Sequence, residues 1–135
     1  MEKKSTEIIS MAVNSGISDI HILPENQHYI VHFRVPAGLK KMIVLALAEG
    51  ERLISYFKFL SNMDIGERRK PQSGSCDFSL IDKKVELRIS TISNYLYQES
   101  MVIRMFFAEM NHQTDSMHAS VFSRRFRFFR KIPSL

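Results

Sequence analysis

The sequence predicts an α+β fold in which helices pack on one face of an antiparallel sheet. The segments run in the order helix, strands, helix, strands, and no βαβ alternation is sustained, which favours antiparallel over parallel pairing. Several segments alternate apolar and polar residues, as strands with one buried face do. The chain has 135 residues, 44% of them hydrophobic, which suits one domain with a substantial core.

The first half of the chain contains a helix, two strands and one ambiguous segment. Ser5 or Thr6 is expected to cap the first helix and Gly16 to end it, around the apolar positions Ile8, Ile9, Ala12 and Val13. Residues 19–23 alternate, with Ile20 and Ile22 inward, and residues 28–35 alternate with Tyr29, Val31, Phe33 and Val35 on one face. The periodicity of residues 39–47 fits either a strand or the start of a helix.

The second half begins with a helix and continues with three strands. The helix is predicted over Glu51 to Asn62. Its buried stripe is Leu53, Ile54, Phe57 and Leu60, and Arg52, Ser55 and Lys58 are expected outside that stripe. Residues 76–81 and 84–91 read as a hairpin, and residues 101–106 as a further strand. We therefore expect a domain over residues 1–107, followed by a linker and a basic helix over residues 108–135.

Positive charge is concentrated at the end of the chain. The net charge is +5, and residues 123–135 carry five basic side chains and no acid, which leaves 14 basic and 14 acidic residues in the rest. A basic segment of this kind can bind nucleic acid or an anionic membrane, or it can be a linker helix that docks on another domain. The linker interpretation is the simplest, because thirteen residues are short for either binding role.

Few residues suggest catalysis or metal binding. His28 and His32 share a strand face but lie about 13 Å apart along it, so exposed strand histidines are expected rather than a metal site. Cys76 is the only cysteine, which fits a reducing compartment and a small strand residue. Nucleophile, zinc-protease and phosphate-loop motifs are absent.

Two groups of charged residues remain as candidate sites. Arg34, Arg88 and Arg104 each interrupt a strand on its non-core face, which is either ordinary solvated surface or a rigid set of guanidinium groups for phosphate. The segment MDIGERRKPQSG, residues 63–74, cannot continue the preceding helix because of its proline. It is expected to be a charged loop that contacts a partner.

An ordered set of motifs resembles a known family. The motifs are SDIHILP (18–24), VHFRV (31–35), RLISYFKFLSNMDIGERRKPQSG (52–74), VELRIST (within residues 84–91) and ESMVIRMF (99–106). Together they resemble the PAS-like N-terminal domain of the GspE/PilB secretion and type IV pilus assembly ATPases. The long middle motif is most similar to the ComGA-type competence members. The resemblance covers about residues 5 to 107.

The resemblance implies a role and two groups of site residues. Family members are cytoplasmic hexamers at the inner face of the membrane, where ATP hydrolysis drives pilus or pseudopilus assembly, here for DNA uptake. Arg88 and Arg104 occupy the positions whose arginines reach the phosphates of the nucleotide. The interdomain contact of the family corresponds to the loop residues Glu67, Arg68, Arg69, Pro71, Gln72 and Gly74.

The resemblance also sets expectations for cofactors and partners. ATP and Mg²⁺ belong to the RecA-like motor domain of the parent enzyme, whose Walker motifs do not occur in these 135 residues, so this chain is expected to have no cofactor, no metal and no ATPase activity alone. Expected partners are the motor domain, neighbouring subunits and the pilus-assembly membrane machinery, with no direct contact to nucleic acid. The alternatives are a stand-alone binding module that uses the basic tail and a PAS-like sensor of a small ligand.

Overall fold

The computed structural model describes residues 1–107 and shows one sheet covered by two helices. The elements in chain order are α1 (Glu2–Asn14), β1 (Asp19–Glu25), β2 (His28–Val35), β3 (Gly38–Ala46), α2 (Leu47–Leu60), β4 (Gln72–Ser79), β5 (Lys84–Ser93) and β6 (Glu99–Phe107). The six strands are all antiparallel and lie in the order β3-β2-β1-β6-β5-β4. The predicted α+β class and the antiparallel sheet are confirmed.

The core lies between the helices and one face of the sheet, which we call the inner face. Helix α1 contributes Ile8, Ile9, Ala12 and Val13, as its spacing predicted, and α2 contributes Leu53, Ile54 and Phe57. The alternation predicted for β1 and β5 is confirmed, because Ile20, Ile22, Val85, Leu87 and Ile89 are all buried. Since strand side chains alternate, the intervening polar residues are placed on the opposite face, the outer face.

Both helices end in a left-handed residue that redirects the chain. Gly16 has φ +70°, and the next N–H, that of Ile17, donates to the carbonyl of Ala12. Asn62 has φ +57°, and the N–H of Met63 donates to the carbonyl of Lys58. Both are Schellman-type endings, in which a 6→1 hydrogen bond satisfies a terminal carbonyl. The predicted stop at Gly16 is confirmed, and the second ending fixes where the charged loop leaves α2.

Several predicted boundaries differ from the structure. Ser5 does not cap α1, which begins at Glu2; Ser5 is buried within the first turns, and its hydroxyl donates to the Glu2 carbonyl. The ambiguous segment 39–47 is a strand that ends at Ala46, and α2 follows directly at Leu47 rather than at Glu51. Strand β4 begins at Gln72 rather than Cys76, because it pairs along its whole length with β5 and pairing overrides its weak alternation.

Candidate functional site

Arg88 and Arg104 lie side by side on the outer face of the sheet. They are Cα partners across β5 and β6, although they are 16 residues apart in sequence. On the other side of β6, Arg104 is the Cα partner of Asp19 on β1. The strand pairing thus places Asp19, Arg104 and Arg88 in one transverse row, in which Arg104 is in the middle.

Arg104 is held by a two-point contact with Asp19. Its Nε donates to Oδ1 over 3.1 Å and its Nη2 donates to Oδ2 over 3.3 Å. This hydrogen bonding raises the pKa of Arg104 further above its ordinary value, although partial burial opposes the effect. Arg34 approaches the same carboxylate more loosely, with 3.8 Å between its Nε and Oδ2. The guanidinium of Arg104 is therefore both charged and oriented.

Arg88 is held by different groups on the other side of the row. Its Nε donates to Glu86 Oε2 over 3.2 Å, and its Cζ lies 4.3 Å from the centre of the Phe106 ring. Cations are attracted to an aromatic face at this distance. The side chain is still 46% exposed. An open hollow of about 350 Å³ lies beside it, lined by Ser73, Gly74, Ser75, Arg88, Ile89 and Ser90. Exposed guanidinium and serine hydroxyl groups in one hollow are donors that suit a phosphate.

The charged loop after α2 is fastened to the domain by a buried lysine. Lys58 is fully buried, and its Nζ donates to Glu99 Oε2 over 2.8 Å and to the carbonyl of Glu67 over 2.9 Å. The carbonyl of Ile65 lies at 3.5 Å from the same nitrogen. The prediction that Lys58 lies outside the buried stripe of the helix is wrong. Its position four residues after the buried Ile54, on the same helical face, was the signal that could have shown this.

The side chain of Gln72 forms hydrogen bonds with other residues of the charged loop. Its side chain accepts a hydrogen bond from the N–H of Asp64 over 2.8 Å and donates to the carbonyls of Asp64 and Glu67, each over 2.9 Å. The Glu67 carboxylate accepts a hydrogen bond from the N–H of Arg69, which lowers the pKa of Glu67. Glu67 and Gln72 thus hold the shape of the loop by internal contacts.

The other predicted contact residues divide between the domain and solvent. Gly74 allows β4 to approach α2, because a Cβ there would lie 2.8 Å from the carbonyl oxygen of Ser61. Arg68 donates to Glu51 of α2 over 3.1 Å, yet it is 45% exposed. Arg69 and Pro71 are exposed. The outward surface of the loop is therefore formed by Arg68, Arg69, Lys70 and Pro71.

The histidines within residues 1–107 form no metal site. Within residues 1–107, no group of three or more His, Cys, Asp or Glu side chains could hold a metal ion. His21 and His32 are cross-strand partners, and His28 lies apart from them. His28 is exposed as predicted, but His32 is 6% exposed, so the expectation of an exposed histidine is wrong there. Burial, followed by the nearby charge of Arg34, lowers the pKa of His21.

The basic tail and the predicted linker, residues 108–135, lie outside the described residues.

Cys76 is partly buried in β4, and burial raises the pKa of its thiol, so it lacks the character of a nucleophile. No helix among residues 1–107 is long and apolar enough to cross a membrane. Sequence reasoning found both arginines of the row but missed Asp19 and Glu99, because their roles depend on partners distant in sequence.

This α+β domain matches a known protein family. The family model described as Type II/IV secretion system protein matches residues 1–131, and the chain belongs to that family. Its relatives include competence proteins and type II secretion system proteins.

Named relatives support this membership. The chain is 49% identical to competence protein ComGA of Bacillus subtilis over 105 residues, which cover 78% of this chain and 29% of the relative. It is 36% identical to competence protein ComGA of Streptococcus pneumoniae over 109 residues, 81% of this chain and 35% of the relative. It is 30% identical to type II secretion system protein HxcR of Pseudomonas aeruginosa over 98 residues, 73% of this chain and 21% of the relative. The matches thus span about a third of these relatives or less.

Proposed function

We propose that this domain supplies Arg88 and Arg104 to the nucleotide site of a competence ATPase that powers pseudopilus assembly for DNA uptake. The observation that carries the proposal is the pairing of the two arginines across β5 and β6 on the outer face. Two positive side chains placed opposite each other on neighbouring strands repel, so their pairing is a cost to the fold. Asp19 and Glu86 offset part of that cost, and a phosphate that contacts both guanidinium groups would offset more of it.

The chemistry of the row suits phosphate oxygens rather than a metal. Arginine has planar donors that match phosphate geometry, and it stays charged at every physiological pH. In ATP hydrolysis, such donors stabilise the negative charge that develops on the transferred phosphoryl group. ATP and Mg²⁺ would be held mainly by the motor domain, and the two arginines would reach the phosphates from this domain.

The outward surface of the loop, Arg68 to Pro71, is proposed to contact the motor domain or a neighbouring subunit of a hexamer. Three adjacent basic side chains project from a backbone that Lys58 and Gln72 hold in place. A fixed loop loses little conformational entropy when a partner binds. We also propose that the parent protein works at the cytoplasmic side of the membrane, together with the pilus-assembly machinery.

The test is an ATPase hybrid in which residues 1–107 replace the matching domain of the Bacillus subtilis relative. Arg88→Gln and Arg104→Gln should each lower kcat by about a hundredfold, the usual effect of losing one transition-state donor. Lys41→Gln is the matched control, because Lys41 is an outer-face cation that pairs with Glu25 and not with the row. Unchanged turnover in both arginine variants would refute the phosphate role.

The same hybrid tests the loop contact. Arg69→Glu should reduce assembly, measured by sedimentation velocity, because it reverses a charge on the outward surface without touching the bonds made by Lys58. Normal assembly of this variant and of Arg68→Glu would remove the loop from the contact while leaving the phosphate proposal standing.

A further inference from the structure

Asp19 lies at one end of the transverse row that it forms with Arg104 and Arg88. Its carboxylate side chain is only 8% exposed and lies between two arginines, Arg34 and Arg104. A carboxylate in this position depends on its positively charged partners, because burying a charge without an opposite charge nearby is costly. Its contacts with the two arginines differ in geometry, and the geometry shows which arginine Asp19 orients.

The contact with Arg104 is the specific one. Both oxygens of Asp19 accept hydrogen bonds from Arg104, at 3.1 and 3.3 Å, whereas Arg34 approaches only one oxygen, at 3.8 Å. Two parallel N–H···O bonds fix the plane of a guanidinium as well as its position. They engage two of its five N–H donors, both on the edge that faces β1.

The strand order shows on which side of Arg104 this contact lies. Asp19 is on β1 and Arg88 is on β5, so they flank Arg104 on opposite sides. Asp19 therefore draws the guanidinium of Arg104 away from Arg88. Arg88 is separately held by Glu86 and the Phe106 ring. Each of the two positive groups therefore has its own carboxylate partner, Asp19 for Arg104 and Glu86 for Arg88.

We propose that Asp19 is a positioning residue that fixes the plane and direction of the Arg104 guanidinium for its contact with nucleotide phosphate. The inference rests on the proposed phosphate role of Arg104. It assigns Asp19 no contact with the nucleotide. Loss of such positioning costs rate rather than affinity, because small displacements of a catalytic group can lower turnover by about a hundredfold.

The experiment is a double-mutant cycle in the ATPase hybrid. Asp19→Asn keeps the size of the side chain and removes its charge. It should lower kcat by about tenfold or more with little change in KM, since the orientation of the donor is lost and the donor itself is kept. In the Arg104→Gln background the same change should have almost no further effect. Lys41→Gln again serves as the control that removes an outer-face cation elsewhere.

A second measurement needs no variant and uses the 135-residue chain itself. By NMR, the Nε–H of Arg104 should exchange with water more slowly than that of Arg52, an exposed arginine of α2. Equal exchange rates would show that the two-point contact does not hold in solution, and that result would overturn the inference even if Asp19→Asn failed to fold.

The outcomes separate this inference from the proposed function. If Arg104→Gln leaves kcat unchanged, the phosphate role of Arg104 fails and the inference falls with it. If Arg104→Gln lowers kcat but Asp19→Asn does not, only the positioning role is refuted. The same conclusion follows if Asp19→Asn lowers kcat by an equal factor in both backgrounds, because a general structural defect acts independently of Arg104.

Discussion

Replacement of Lys58 by methionine should strongly destabilise the domain. Lys58 is fully buried, and its ammonium is shared between the carboxylate of Glu99, at 2.8 Å, and the carbonyl of Glu67, at 2.9 Å. Methionine preserves the length and apolar packing of the side chain. The change leaves the Glu99 carboxylate buried without its cation, which typically costs about 3–5 kcal/mol.

That cost is large compared with the stability of a domain of this size, about 5–15 kcal/mol. Urea unfolding followed by far-UV circular dichroism suits the measurement, because the chain has no tryptophan. Lys41→Met is the matched control. Lys41 is 61% exposed in its pair with Glu25, so its loss should cost no more than about 1 kcal/mol.

A double replacement tests the reasoning further. Lys58→Met combined with Glu99→Met removes both charges and should recover a large part of the lost stability, because an apolar pair has no buried charge to compensate. The reasoning is refuted if Lys58→Met lowers the unfolding free energy no more than Lys41→Met does, with the dependence on urea unchanged.

The remaining predictions concern close packing and pH. Gly74→Ala should cost about 1–3 kcal/mol in urea unfolding, because its Cβ would meet a backbone carbonyl at 2.8 Å that cannot move aside. Gly66→Ala is the control, with its nearest neighbour at 3.7 Å, and an equal loss would contradict the steric explanation. His21 has a lowered pKa when folded, so the unfolded chain binds the extra proton first and stability should fall as pH drops below about 6.5. His21→Gln should weaken that fall between pH 7.5 and 5.5, and an unchanged profile would show that His21 does not cause it.

Much of the secondary structure followed from local patterns. The buried faces of α1, β1 and β5 were predictable, because the period of 3.6 residues in a helix and of 2 residues in a strand determines which residues share a face. The end of α1 at Gly16 was predictable for the same local reason, since glycine takes a left-handed conformation without strain. The boundaries of β4 and α2 were not, because pairing with β5 and packing on the sheet set them rather than local sequence.

The chemistry of the outer row divides in the same way. The sequence by itself determined that Arg88 and Arg104 leave the core face of their strands, because alternation fixes the side of each residue. Only the tertiary structure decided that the two are direct neighbours, that Asp19 orients one of them, and that Lys58 is buried beneath the charged loop. Strand order and register join residues up to 85 positions apart, and no local pattern encodes such pairs.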